Sequence, residues 1–350
     1  MKKLDYIVVG LGIAGISICA QLEKRGKSFI AIDNGQERST AASGGVFNPT
    51  VLKRFTAAWN ASDFYPVARQ FYSSMSEQLG QNIFQELPIL RIFANVEEQN
   101  NWTVASDKKQ LQAYLSTDFV KNGNPSIEAP NGFGKLMGTG KINTEGLLLG
   151  YRNHLKEMGF LMIEDFEFNQ INLVDGGVSY KNLSAGRIIF CEGAKAVENP
   201  YFPSTAIIGN KGEYVIIKAP ELNLECFLKG SMYVIPIGND VYKVGATYSR
   251  DDFDNKPSTN AKDEILSKME SFINCTYEVV GQVSGIRPTT KDHRPLLGNL
   301  TEASEIIFFN GLGSRGFLMA PLLSEMLYSY LEEDIPLPKE VNIRRIKIKA

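Results

Sequence analysis

Two stretches of this chain set glycines directly ahead of an apolar run, and both could present backbone N–H groups to a negatively charged ligand. One is Gly10-Leu-Gly12-Ile13-Ala14-Gly15; the other, near the far end, is Gly311-Leu-Gly313-Ser314-Arg315-Gly316-Phe317. In a G-x-G-x-x-G pattern the first two glycines permit a tight turn and close approach of a pyrophosphate to a helix N-terminus. The third lets helix and strand pack closely. Alone, the pattern is weak; its context makes it strong. "LDYIVVG" reads as a short buried strand, and "IAGISICAQLEKRG" as a helix with Ile13, Ile16, Ala20 and Leu22 near one side, ending at Gly26. "SFIAID" is a second strand that ends in Asp33, where an acid about 20 residues past the glycines accepts hydrogen bonds from ribose hydroxyls. Strand, glycines, helix, strand and acid, in that order, predict a dinucleotide site.

The elements around this core are less sharply defined. After Asp33 and Asn34, "RSTAASGGVFNP" offers Ser39, Thr40, Ser43, Gly44, Gly45 and Val46. Its backbone N–H groups can meet phosphate or ring oxygens, or it is a plain solvent loop. "TEGLLLGYRNHLKEMG" is helix-like, with Leu147, Leu148, Tyr151 and Leu155 spaced for one face and His154 facing solvent. "FLMIEDFEFNQINLVDGGVSY" and "GRIIFCEGA" read as strands and turns, the latter entering a small-residue turn at Glu192-Gly193-Ala194. "EYVIIKAP", "MYVIPIG" and "DVYKVGATY" are short β-rich runs of the kind that build an antiparallel sheet. "RDDFDNKPSTN" reads as a polar surface loop.

Bulk properties remove several function classes. With 37 Lys and Arg against 39 Asp and Glu in 350 residues, no net charge draws the chain to nucleic acid or anionic lipid. The tail "NIRRIKIKA" is a local basic patch or a solvated terminal face. Four scattered cysteines without a CxxC pair, and two histidines in all, argue against a metal cage and suit free thiols in a reducing compartment. No run is long and apolar enough to span a bilayer. The opening "MKK" mimics a secretory signal, but Asp5, the glycines and the bulky Ile18 do not fit one, so a cytoplasmic location is expected.

From Tyr6 to about Leu331 the chain resembles the glycine oxidase/D-amino-acid oxidase (DAO, sarcosine-oxidase-like) family. The resemblance rests on "VVGLGIAGIS…AID", "STAASGG", "RIIFCEGA", "GNKGEYVII", "YVIPIGNDVYKVGATY", "GIRPTTKDHRPLLG" and "GLGSRGFLMAP". "TKDHRPLLGN" and "GLGSRGFLMAPL" most resemble the carboxyl-terminal FAD domain of the bifunctional enzyme that modifies the wobble uridine of transfer RNA, whose methyltransferase half has no counterpart here. The resemblance implies an α/β fold: a Rossmann-like, GR2-type FAD-binding domain from 1–80, 140–204 and 282–350, with an antiparallel-sheet (α+β) substrate domain from 81–139 and 205–281. It implies FAD held non-covalently by the residues named above together with Phe168, Gly193, Gly313, Ser314, Arg315, Gly316 and Phe317. The second glycine loop then has a purpose. Hydride uptake places negative charge on the N1–C2=O edge of a flavin, and a helix N-terminus stabilises it. Pro321, within the first turns, suggests a short or kinked helix start.

The same resemblance puts Arg287 where relatives grip a substrate carboxylate, and a guanidinium fork suits a carboxylate; a structural salt bridge is the alternative. Tyr233 and Tyr248 fall on substrate-contacting positions, or are strand aromatics in a core. Lys243 matches a lysine that promotes reaction with oxygen in sarcosine-oxidase-like members. Strand alternation puts Lys243 and Tyr248 on opposite faces, which favours Tyr248 in the site and an exposed Lys243. His293 is expected on a surface turn. The implied activity is oxidation of the C–N bond of an amino acid or N-substituted glycine by hydride transfer to flavin N5, followed by imine hydrolysis. A stand-alone transfer RNA wobble-uridine (carboxymethylaminomethyl) oxidoreductase and a non-catalytic flavin-binding protein are the alternatives. The sequence leaves the oligomeric state open.

Overall fold

The computed structural model describes residues 2–36, 39–250, 252–301 and 305–346. Strand β1 (Lys2–Val9), helix α1 (Ile13–Lys24) and strand β2 (Phe29–Ile32) form the opening unit. β1 runs parallel to β2 on one side and to Leu183–Phe190 on the other. Leu161–Met162 extends the parallel sheet beyond β2, and Ile306–Asn310 extends it beyond Leu183–Phe190. A hairpin, Ile171–Val174 and Gly177–Tyr180, adds antiparallel to the first half of Leu183–Phe190. β2 is buried along its whole length, as a parallel strand covered on both faces must be.

Helix α1 is buried on nearly every side, including Ile13 through Cys19, Gln21 and Leu22, rather than along one stripe. It is sandwiched between the parallel sheet and the C-terminal helix Gly316–Glu332, with Ala61–Leu79 and Thr144–Glu157 completing the same core. A one-sided pattern is not expected for a helix in that position.

The second sheet is mostly antiparallel. Its longest strands, Ile208–Lys218 and Glu278–Thr289, pair over nearly their full lengths, so the latter runs unbroken across position 282. Tyr233–Gly238 and Val241–Gly245 continue the sheet as a hairpin, and Phe227–Lys229 pairs parallel with Ile89–Ile92. The fold is thus α/β, with a parallel-cored sheet beside a large antiparallel one.

Pro321 does not shorten its helix, which continues through it to Glu332. Proline lacks the N–H that would bond the carbonyl four residues back. The Tyr72 hydroxyl supplies the missing donor, 2.8 Å from the Phe317 oxygen, and Tyr72 is wholly buried. Tyr72→Phe leaves that carbonyl unsatisfied and is expected to cost about 1–3 kcal/mol, read as a lower denaturant midpoint at unchanged m-value.

The basic tail is tied down in part. Arg345 pairs with Asp292 at 3.1 Å, and Arg344 donates to the Asn299 carbonyl and side chain. Its last four residues, 347–350, lie outside the described ones. No helix among the described residues is long and apolar enough to cross a membrane.

Candidate active site

A cavity of about 750 Å³ lies between the two sheets. Both glycine loops open onto it: Gly10, Gly12, Ile13 and Ala14 from the first, Gly313 through Phe317 from the second. Asp33, Asn34, Ser39, Thr40, Ser43, Gly44, Gly45, Val46, Phe168 and Gly193 line the same space, as do Tyr233, Tyr248 and Arg287. Gly15 does not. It lies beneath the turn, where an added Cβ would fall 1.9 Å from the Gly10 carbonyl oxygen.

The helices behind these loops share one property. Val96–Ser106, Thr144–Glu157 and Thr259–Glu270 are capped by the side chains of Asn95, Asn143 and Ser258. Neither α1, entered through Gly12, nor Gly316–Glu332, entered through Arg315, has a side-chain cap. Helix Ala61–Leu79 is uncapped too, but no residue of it lines the cavity. Two N-termini with orphan amides and partial positive charge therefore face one enclosed space, an arrangement that attracts anionic groups.

Asp33 is held by several donors. Its carboxylate accepts from the Leu11 amide and the Gly35 amide, each at 2.9 Å, and pairs with Arg152 at 2.9 Å. Asn34 donates to Asp165 at 2.7 Å, and Thr40 Oγ1 accepts from the Ile13 amide at 3.2 Å. Ser39 donates to the Ile286 carbonyl at 2.5 Å, which fastens this loop to the antiparallel sheet.

At the other end Arg287 projects from Glu278–Thr289 with its guanidinium 4.5 Å from the centre of the Tyr248 ring. One nitrogen donates to the Thr247 carbonyl at 3.3 Å. No carboxylate pairs with it among the described residues, so the salt bridge considered from sequence is not formed there. Gly212 makes room for it: a Cβ at that position would lie 2.1 Å from the guanidinium. Arg315 is anchored by the Asn48 and Thr50 carbonyls, each at 3.0 Å, and burial lowers its pKa. Burial raises the pKa of the Tyr214 and Tyr233 phenols, so both stay neutral hydroxyls at ordinary pH. The acidic residues of the lining (Asp33, Glu164, Asp165, Glu192 and Glu198) all follow strands of the parallel-cored sheet. The antiparallel sheet contributes two charged side chains, Lys229 and Arg287, both cationic.

The model of the family described as DAO, FAD dependent oxidoreductase, matches residues 5–329. The chain belongs to that family. As a DAO-family protein it is an FAD-dependent oxidoreductase, and the amide donors of the uncapped helix starts, with the acceptor carboxylate just after β2, fit this cofactor. It is 23% identical to glycine oxidase of Bacillus subtilis over 97% of this chain and 95% of that one. It is 27% identical to the tRNA 5-methylaminomethyl-2-thiouridine biosynthesis bifunctional protein MnmC of Idiomarina loihiensis, over 51% of this chain and 30% of that protein. The chain thus spans less than a third of that relative. Among solved structures, glycine oxidase from Geobacillus kaustophilus superposes with a TM-score of 0.78 at 19% identity, covering 95% of each chain, a likeness of fold.

Two sequence expectations for this DAO-family chain are corrected. Lys243 is half-buried rather than exposed, with Nζ donating to the Ser43 carbonyl at 3.0 Å and lying over the Tyr214 ring. Alternation does not apply, because the strand ends at Gly245, short of Tyr248. The register puts Lys243 on the face of the cavity-lining Tyr214 and Tyr233, where it meets the Ala42–Ser43 turn instead of water. His154 is also half-buried, 2.7 Å from Glu23. The polar loop after Arg250 is a surface loop as expected, exposed from Phe253 to Pro257, and its Phe253 and Asn255 reach the cavity wall. His293 is exposed in its turn, and Tyr248 is 63% exposed at the cavity rim. Among the described residues no cluster of His, Cys, Asp and Glu could hold a metal. Sequence reasoning did not single out Arg152, Asn48, Tyr214 or Lys229. For Tyr214 and Lys229 the strand runs "EYVII" and "FLKG" carried a signal: an isolated aromatic and an isolated lysine amid apolar neighbours.

Proposed function

We propose that this chain oxidises the C–N bond of an amino acid or N-substituted glycine whose carboxylate is held by Arg287. The observation that carries the reading is a half-buried guanidinium, flat over Gly212 and facing the cavity, with no carboxylate of its own among the described residues. Two parallel N–H donors of such a fork match one carboxylate. The neutral Tyr233 hydroxyl lines the same end and is suited to orient the substrate. The N-terminal turn of α1 behind Gly12 would hold the pyrophosphate, Asp33 a ribose, and the Gly313–Phe317 turn the ring. Bound FAD supplies the hydride acceptor. The chain's own part is orientation and electrostatics, and water hydrolyses the released imine to an amine and an oxo acid.

A second reading has one observation in its favour, the likeness to the MnmC protein. The carboxymethylaminomethyl arm of wobble uridine is itself an N-substituted glycine, so Arg287 would serve there too. Transfer RNA binding would then weaken steeply with salt. The test is anaerobic addition of glycine, sarcosine, proline, D-amino acids and undermodified transfer RNA to the flavin-loaded protein. At least one carboxylate-bearing amine is expected to bleach the flavin absorption. A flavin that every one of them leaves oxidised overturns both readings.

A further inference from the structure

The cationic lining exceeds what one carboxylate requires. Arg315 is committed to the Asn48 and Thr50 carbonyls, Arg152 to Asp33, and Arg287 is assigned to the substrate carboxylate. Of the other lining cations, Lys53, Lys195 and Lys229, only Lys229 stands on the antiparallel sheet beside Tyr233. Its ammonium lies 5.0 Å from the centre of the Tyr233 ring and donates to the Gly230 and Ser231 carbonyls at 3.0 and 3.1 Å. An ammonium carries three donors, and the described residues offer no acceptor for the third. The charges around it do not supply an anion either. Arg91 and Lys268 are cations, and Glu98 is engaged by Arg91 at 2.5 Å and by the Ala94 amide at 2.7 Å.

We infer that Lys229 recognises a second anionic group, carboxylate or phosphate, on the substrate arm remote from the carboxylate held by Arg287. The inference rests on the amine-oxidising reading and narrows its substrate class to N-substituted glycines or amino acids with a charged far end. A lysine acts there as a point charge, suited to either anion. Burial and the nearby Arg91 push the Lys229 pKa down to about 8. The cationic form is lost as pH rises through that value, so preference for the second anion fades above it, while Tyr233, its phenol raised by burial, stays neutral across the same range.

The test uses unreactive acids, so that it reads binding even if no amine proves to be a substrate. The flavin-loaded protein is titrated by calorimetry with pentanoate, glutarate and 4-phosphonobutyrate at pH 7 and pH 9.5. Glutarate or 4-phosphonobutyrate is expected to bind at least tenfold more tightly than pentanoate at pH 7, and the better of the two identifies the anion. That ratio is expected to collapse toward one in Lys229→Met, to persist in Lys229→Arg, and to shrink at pH 9.5 in the wild type. A wild type without the preference, or a Lys229→Met variant that retains it, overturns the inference. Failure of the amine panel with the preference intact would instead strike the proposed reaction.

Discussion

Replacing Arg287 with methionine is expected to lower kcat/KM for carboxylate-bearing amines about a thousandfold, roughly 4 kcal/mol of lost interaction. Methionine keeps much of the side-chain volume and removes the fork, so a substrate carboxylate would enter the cavity without its charge-assisted pair. Most of the loss should appear as weaker binding. Part should appear in the rate of anaerobic flavin reduction, because the Cα–H is no longer aligned for transfer. Arg287→Lys should fall between, since it restores charge but cannot place two parallel donors. The position of the guanidinium is set from behind by Gly212, whose missing Cβ leaves the space it occupies, and from the rim by the Tyr248 ring. An affinity within threefold of wild type in Arg287→Met would move the carboxylate clamp elsewhere in the cavity.

The parts of this molecule legible in the sequence are those where local chemistry is stringent. A buried strand, a glycine turn and an acid at a strand end constrain one another within some thirty residues, and β1, α1, β2 and Asp33 follow from that short range. Gly311–Phe317 is local in the same way. What the sequence does not show is which residues meet across long separations. Arg152 reaches Asp33 from a helix that reads as an ordinary amphipathic one, and nothing in "GYRNH" distinguishes a partner of the acid from a surface arginine. Tyr72 answers the carbonyl freed by Pro321 from a helix far away in the chain, so a reading of Pro321 alone leans toward a broken helix. Lys243 shows the limit of alternation. Parity holds only inside one strand, and this one ends at Gly245, so it says nothing of Tyr248; Lys243 lies on the face of Tyr214 and Tyr233, against the turn at Ala42 and Ser43.

The first glycine loop allows its two duties, packing and cofactor approach, to be separated by experiment. Gly15→Ala places a methyl 1.9 Å from the Gly10 carbonyl oxygen and 2.9 Å from its carbon, contacts with backbone that no rotamer change relieves. Helix α1 cannot retreat, because Gly316–Glu332 is packed against its other side. The variant should lose several kcal/mol of stability, more than the usual 1–3 kcal/mol of an overpacked core, and emerge with little flavin absorption. Gly12→Ala is the opposite case. A Cβ there meets only Thr40 Oγ1, at 3.4 Å, and the Gly12 φ of −73° suits any residue, so the apoprotein should unfold at nearly the wild-type denaturant midpoint. Yet the methyl would stand at the mouth of an uncapped helix, in the path of the pyrophosphate, and FAD affinity should fall at least a hundredfold, about 2.7 kcal/mol. Loss of flavin in both variants with loss of stability in only one is what a pyrophosphate seated on this turn requires. A Gly12→Ala protein that keeps its flavin at wild-type affinity would place the phosphates somewhere else.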